Sequence, residues 1–414
     1  MSLPLLRASE HLHDVKYEIR GALARRAEQL EREGHDIIKL NIGNPGAFGF
    51  RMPSSMRVAI VENLHQADPY SHQKGIFQAR EAVVMQQQNR GIMDVTADDV
   101  FIGNGVSELI MLAMRALLNP GDEVLVPSPD YPLWTASVVI HGAKAVHYPC
   151  RPERGYLPDP DEIERLITDK TRAIVVINPN NPTGAVYPRE VLAALADIAE
   201  RRHLVLCADE IYDEMLYDDA EFVPMATLAP QALCLTFSGL SKVYRACGLR
   251  VGWLVFSGER EHARDYIHAL DLLASLRLCS NVPGQFAVQT ALGGHQSIFE
   301  LTRPGGRLHA TRAALLDATQ KSHWLSLEPP PMGSMYGFVR VHAERLPGGV
   351  AAFDDQAFAI DLLERKHVLV APGSSFNVPY RDHFRVTLLP DADEMADVCS
   401  RIETLLDDYA LSPA

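Results

Sequence analysis

From residue 101 onward the chain alternates short, unbroken apolar runs with longer stretches in which apolar positions recur every three or four residues. The runs at 101–102, 123–126, 144–147, 173–177, 204–207, 233–237 and 252–256 are mostly β-branched or leucine-rich and lack polar alternation. That is the pattern of strands covered on both faces. Between them, 106–118 sets Leu109, Leu112, Ala113, Ala116 and Leu117 at helical spacing, and 189–201 reads as a further helix. Strands and helices in alternation predict an α/β fold, a mostly parallel sheet held between two helical layers.

The last third of the chain breaks this rhythm. Helical patterns at 306–320, 356–366 and 391–408 surround strand-like runs at 336–341 and 384–388, which predicts a smaller α+β unit. An early helix within 16–40 carries Ile19, Leu23, Ala27 and Leu30 on one stripe and ends at Gly34; it is expected to pack on that later unit. The predicted division is a large domain over 51–299 and a small domain formed by 1–50 with 300–414. Arg303-Pro304-Gly305-Gly306 reads as a turn and a hinge region.

Composition agrees with two lobes, since 414 residues exceed one ordinary core and 47% hydrophobic residues can fill two. A formal net charge of -14, from 39 Lys plus Arg against 53 Asp plus Glu, gives no general attraction to nucleic acid or acidic lipid. No apolar run reaches the ~18 residues of a membrane span and nothing marks the chain for export, so a cytoplasmic location is expected. Six cysteines lie mostly among apolar residues without close metal-ligand spacing, and they read as reduced core residues with no metal site.

Polar segments follow the apolar runs, at the strand ends where open α/β sheets bind ligands. Lys242, in Ser238-Gly239-Leu240-Ser241-Lys242, offers an amine able to form an imine with an aldehyde. Asp209 ends the 204–208 run, where a shielded carboxylate suits a protonated pyridine nitrogen, and Tyr212 lies one helical turn on with a phenol for a ring oxygen. Asn181, in Asn178-Pro179-Asn180-Asn181-Pro182-Thr183-Gly184, sits on a turn stiffened by two prolines that can aim its amide. Gly105, Val106 and Ser107 open a helix toward an anion, Arg250 adds positive charge, and either Ser238 or Ser241 adds a hydroxyl. Tyr131 follows the next strand and can cover a ring face, while Trp134 reads as core. Arg385 interrupts a strand-like run and suits a substrate carboxylate, and Gly43 lets a loop approach the substrate closely. An amine, a carboxylate, a phenol, an amide and an anion site together point to an enzyme using pyridoxal 5'-phosphate on amino groups.

In this order, Asn-Pro-Asn-Asn-Pro-Thr-Gly, Asp-Glu-Ile-Tyr, Ser-Lys and Gly-Leu-Arg-Val-Gly resemble the class I/II aminotransferases of pyridoxal-phosphate fold type I, over nearly the whole chain. The resemblance implies that Lys242 bonds the cofactor aldehyde, Asp209 the ring nitrogen, Asn181 and Tyr212 the ring oxygen, Arg250 the phosphate and Arg385 the substrate carboxylate. It also implies a homodimer in which Tyr70 reaches the neighbouring subunit's phosphate. Tyr17-Glu18-Ile19-Arg20-Gly21 and Lys242-Val243-Tyr244-Arg245 are similar to the glutamate-pyruvate transaminase branch of that family. That branch implies alanine and 2-oxoglutarate as substrates, with Tyr17 and Arg20 among the substrate-binding residues. Glutamate's second carboxylate needs its own cation, for which Arg20 and Arg277 are candidates. Gly333-Ser334-Met335-Tyr336-Gly337 departs from the Gly-Ala-Leu-Tyr of the resemblance. Competing readings are an aminotransferase for other aliphatic or aromatic amino acids, a pyridoxal-phosphate C-S lyase, and a regulatory or binding protein retaining the fold.

Overall fold

The computed structural model describes residues 6–12, 15 and 21–411, and the counts below refer to these residues. Seven strands form one sheet in the order Val100–Gly103, Gly252–Gly258, Leu233–Gly239, Val205–Asp209, Thr171–Ile177, Glu123–Ser128 and Lys144–Pro149. Gly252–Gly258 runs antiparallel to both neighbours, and the remaining pairs are parallel. The missing polar alternation has a direct cause in packing. Along Thr171–Ile177, Ala173, Val175 and Ile177 join one apolar cluster with Leu109, Trp134 and Leu270. Ile174 and Val176 join another with Leu192, Leu195 and Ala199. Helices Val106–Leu117, Pro132–Val139 and Arg264–Leu276 therefore cover one face, and Arg189–Arg202 covers the other. The fold is the expected α/β layer structure with a mostly parallel sheet.

In the C-terminal part, Tyr336–Val341 and His383–Thr387 pair antiparallel at the centre of a four-stranded sheet edged by Ala371–Pro372 and Leu325–Ser326. Helices Arg307–Lys321, Asp355–Lys366 and Ala392–Leu411 occupy the stretches whose periodicity predicted them. The early helix is Ala22–Arg32, shorter than the 16–40 window, with Leu23, Ala27 and Leu30 buried and Gly34 at φ +96° just beyond it. Ile19 lies outside the described residues. This helix packs on Asp355–Lys366 and Val368–Leu369, with Arg26 Nε donating to Glu364 Oε1 at 2.9 Å. Ile38–Lys39 then pairs in parallel with Val368–Leu369, so the N-terminal segment becomes part of the C-terminal unit.

Helix Phe77–Asn89 was not marked by any apolar stripe, and its buried face explains why. That face includes Arg80 and Gln87 beside Ala79, Ala82 and Val83. Arg80 is tolerated there because its Nε and Nη1 donate to the Gly75 and Ala97 carbonyls at 3.1 and 2.7 Å. No helix among the described residues is long and apolar enough to cross a membrane.

Candidate active site

The parallel strands Val100–Gly103, Glu123–Ser128, Thr171–Ile177, Val205–Asp209 and Leu233–Gly239 deliver their carboxyl ends to one edge of the large sheet. A cavity of about 550 Å³ lies there. Its wall draws on three parts of the chain: Val106, Ser107, Tyr131, Asn181, Asp209, Tyr212, Ser241, Lys242 and Arg250 follow large-sheet strands, Tyr336 and Arg385 come from the four-stranded sheet, and Ile42, Gly43 and Asn44 come from the N-terminal segment. No one part closes the site.

Lys242 follows the Leu233–Gly239 strand after a tight turn, in which Leu240 N donates to Val251 O and Ala246 N to Leu240 O. Its Nζ donates to Gly43 O at 2.7 Å, so the amine bridges the large sheet and the N-terminal loop. Asp209 is the last residue of its strand and only 2% exposed. It accepts from the Trp134 indole Nε1 at 3.0 Å and from Ile211 N at 3.4 Å. Burial pushes its carboxyl up to about 6, against those two bonds and the charge of Lys242. Both donors are neutral, so a cationic group entering the cavity would offset the cost of holding a carboxylate there.

The Asn178 to Gly184 segment closes on itself. Asn178-Pro179 and Asn181-Pro182 are cis, Thr183 N and Oγ1 donate to Asn180 Oδ1, Tyr187 N donates to Asn178 Oδ1, and Gly184 adopts φ +73°. The Asn180 side chain is engaged inside the turn and the Asn178 Oδ1 on Tyr187, and of the three asparagines it is Asn181 that lines the cavity. Its Oδ1 accepts from Arg385 Nη1 at 2.8 Å, and Arg385 Nη2 donates to the Asn41 carbonyl. The guanidinium carbon lies 4.2 Å from the Tyr336 ring centroid and 4.7 Å from that of Phe376. Arg385 is 2% exposed, and its Nε is buried without a hydrogen-bond partner among the described residues. A buried guanidinium with an unspent N–H on a cavity wall suits an anion.

At the other end, Gly105 caps helix Val106–Leu117 at φ +84°, and a Cβ there would collide with the Arg250 guanidinium. Glycine thus permits both the left-handed cap and the close approach of Arg250. Arg250 Nη1 donates to Cys247 O at 2.9 Å and Nη2 to Asn104 O at 3.3 Å, which fixes the side chain beside the helix N-terminus. Of the two candidate serines, Ser241 lines the cavity, whereas Ser238 stays inside its strand, 3% exposed and off the lining. Tyr131 is held through its neighbour: Asp130 is fully buried and accepts from Thr135 Oγ1 at 2.5 Å and Asn377 Nδ2 at 2.9 Å.

Some expected residues stand apart. Tyr70 is 78% exposed and does not line the cavity of its own chain. Tyr17 and Arg20 lie outside the described residues. Arg277 does not line the cavity of its own chain; its Nε lies 3.4 Å from Glu108 Oε1 and its Nη2 donates to Ile102 O. Sequence reasoning also missed contributors. Trp134 is core, as expected, yet its indole also holds Asp209. Cys247, expected in the core, lines the cavity with Sγ 2.9 Å from Ser241 O. Tyr336 sets its hydroxyl 2.9 Å from that of Tyr212; its one sequence signal was the unusual Gly-Ser-Met-Tyr-Gly segment. Among the described residues no group of His, Cys, Asp and Glu is placed to hold a metal ion.

Comparison with known proteins gives this arrangement its context. Residues 35–402 match the family model described as aminotransferase class I and II. The chain is 48% identical over 401 residues to the glutamate-pyruvate aminotransferase AlaA of Escherichia coli (strain K12), covering 97% of this chain and 98% of that protein. It is 47% identical over 402 residues to an alanine aminotransferase of Mycobacterium tuberculosis (strain ATCC 25618 / H37Rv), covering 97% and 92% respectively. A solved aminotransferase from Escherichia coli superposes with a TM-score of 0.96 at 47% identity, covering 99% of this chain and 100% of that one. An alanine aminotransferase from Pyrococcus furiosus superposes at 0.90 with 34% identity, covering 97% and 100%. With a family match across most of its length and relatives this similar end to end, the chain belongs to the class I and II aminotransferases.

Proposed function

We propose that this aminotransferase reversibly moves the amino group of L-alanine to 2-oxoglutarate, giving pyruvate and L-glutamate, with pyridoxal 5'-phosphate as cofactor. The observation that carries the reading is that Lys242, Asp209 and Arg385 line one cavity, an amine, a buried acid and a buried guanidinium from three separate stretches of sequence. The choice of alanine and 2-oxoglutarate is supported by the names of the two relatives at 47% and 48% identity.

The donor set fits the cofactor. Asp209, buried with two neutral donors, suits the protonated ring nitrogen. Asn181 and Tyr212 are the partners for the ring oxygen, Tyr131 for a ring face, and Gly105, Val106, Ser107, Ser241 and Arg250 for the phosphate. When bound, the cofactor supplies an aldehyde carbon for the amino group and a ring that accepts the electron pair left on the α-carbon. Arg385 fixes the α-carboxylate of the amino acid through the N–H groups it does not spend on Asn181 and Asn41. With that end anchored, Lys242 is the base that takes the α-proton and the acid that returns it one carbon away. Gly43, which accepts from Lys242 Nζ, brings main chain close to the substrate.

The reading includes a homodimer. Val58 and Val61 lie exposed one turn apart on helix Ser54–Asn63, and Leu272 and Leu276 do the same on Arg264–Leu276. Exposed Tyr70 and Phe77 add aromatic surface. Apolar side chains of this size, paired along two helices, suit burial against a second copy, where Tyr70 would serve the partner's phosphate.

The test is pyruvate formation by the purified, cofactor-loaded protein with L-alanine and 2-oxoglutarate, followed through lactate dehydrogenase and NADH. Turnover should require both substrates and show ping-pong kinetics, and Lys242→Ala should lower kcat on the order of 10²- to 10⁴-fold. Glutamate formation from other donors but none from alanine would overturn the substrate assignment. Pyruvate and ammonia released without an oxo acid would instead select a lyase.

A further inference from the structure

The three parts of the cavity wall meet at one side chain that the sequence left without a role, Tyr336. It opens strand Tyr336–Val341, is 2% exposed and lines the cavity. Its ring lies under the Arg385 guanidinium, 4.2 Å from centroid to Cζ. Its hydroxyl is 2.9 Å from the Tyr212 hydroxyl, the two rings meeting edge to face with centroids 5.7 Å apart. The same hydroxyl presses on Gly43, where a Cβ would collide with it, and Gly43 O in turn accepts from Lys242 Nζ.

We propose that Tyr336 is a positioning residue with two separable actions: its ring holds Arg385 for the substrate carboxylate, and its hydroxyl orients the Tyr212 hydroxyl toward the cofactor ring oxygen. The inference rests on the function proposed above and deepens it. The ring action follows from geometry. Arg385 is buried with two hydrogen-bond partners among the described residues, and the Tyr336 ring, the nearer of the two rings on its guanidinium at 4.2 Å against 4.7 Å for Phe376, resists its swinging away. The hydroxyl action follows from counting protons. Two phenols 2.9 Å apart share one hydrogen bond; when Tyr336 donates to Tyr212, the proton of Tyr212 is free for a third atom, and the donation it receives strengthens the one it makes. Burial keeps the Tyr212 phenol protonated well above its ordinary range, so it remains a donor at any working pH.

The two actions separate in two substitutions. Tyr336→Phe keeps the ring and removes the hydroxyl. The pH midpoint of the absorbance titration of the resting, cofactor-loaded protein should rise by roughly half a unit, because a weaker donor from Tyr212 leaves the ring oxygen more basic. The KM for alanine should stay within about twofold, the cation–π contact being intact. Tyr336→Leu removes both, and should add a rise in that KM of about tenfold to the same spectral shift. An unchanged midpoint in the Phe variant overturns the hydroxyl action. A Phe variant whose KM rises as far as about tenfold, or a folded Leu variant whose KM does not move, overturns the ring action. Because the Phe variant tests both actions, a Leu variant that fails to fold leaves the inference exposed to refutation. Wild-type protein that shows no lysine-bound cofactor absorbance overturns the proposed function itself and the inference with it; normal wild-type absorbance with unaffected variants overturns the inference alone.

Discussion

Trp134 and Asp209 show how one buried contact sets chemistry. Among the described residues the indole N–H is the side-chain donor to Asp209, at 3.0 Å, and it cannot titrate. It therefore lowers the acid's affinity for a proton without ever adding charge, and burial still leaves that carboxyl at about 6. The sign follows: above that pH Asp209 is ionised and can pair with a protonated ring nitrogen, and below it the pair is lost, so affinity of the cofactor-free protein for pyridoxal phosphate should weaken as pH falls through about 6. Trp134→Phe removes the donor and pushes the carboxyl higher. Cofactor affinity at pH 7 should then fall on the order of tenfold, as for loss of a hydrogen bond to a charged group, and its decline on acidification should begin at higher pH. Fluorescence titration of cofactor-free protein at several pH values measures both; a variant that binds like wild type at every pH would remove Trp134 from this role.

Among the elements, the short helix Ala22–Arg32 links stability to the site. Leu23, Ala27 and Leu30 are buried, and the chain that follows it pairs Ile38–Lys39 with Val368–Leu369 before delivering Gly43 to Lys242. Docking of this helix thus fixes one wall of the cavity. Leu30→Ala deletes a side chain that is 4% exposed and should cost about 2–5 kcal/mol in urea denaturation. The same change should raise the KM for alanine more than it lowers kcat, since it loosens the substrate-side wall. A loss below ~1 kcal/mol would mean the helix contributes little to the docking of the N-terminal segment.

For the whole molecule, the prediction concerns assembly. Sedimentation equilibrium should give twice the mass of one chain, and Val61→Glu with Leu276→Glu should shift it toward one chain and lower cofactor affinity, because Tyr70 would no longer reach a partner's site. Both side chains are more than half exposed in the single chain, so the substitutions leave its core untouched. A monomeric wild type, or a charged variant that still dimerises, overturns that interface. Within one chain the large sheet and the C-terminal part are already joined close to the cavity: Asp130 N donates to Phe376 O and Asn377 Nδ2 to Asp130 Oδ1, which ties the loop of Tyr131 to the loop that stacks on Arg385.

Much of this was legible in sequence order because it depends on local spacing. The strands of the large sheet were visible as unbroken apolar runs, since both faces are covered and every position must be apolar. Lys242, Asp209 and Asn181 were visible because polar side chains just after such runs sit at the sheet's carboxyl edge, and Arg250 from its Gly-Leu-Arg-Val-Gly motif ahead of the antiparallel strand Gly252–Gly258. Helix Phe77–Asn89 was not, because Arg80 satisfies its buried N–H groups on carbonyls that only folding brings near. Nor could sequence tell Ser238 from Ser241, three residues apart, when one is locked in a strand and the other lines the cavity. The contacts that tune the site, Trp134 with Asp209, Tyr336 with Tyr212 and Asn181 with Arg385, span 75, 124 and 204 residues. Periodicity reports which face of an element is buried, and it carries no information about which distant side chain waits there; the sequence alone determined the residues able to do the chemistry, and the tertiary structure decided their partners.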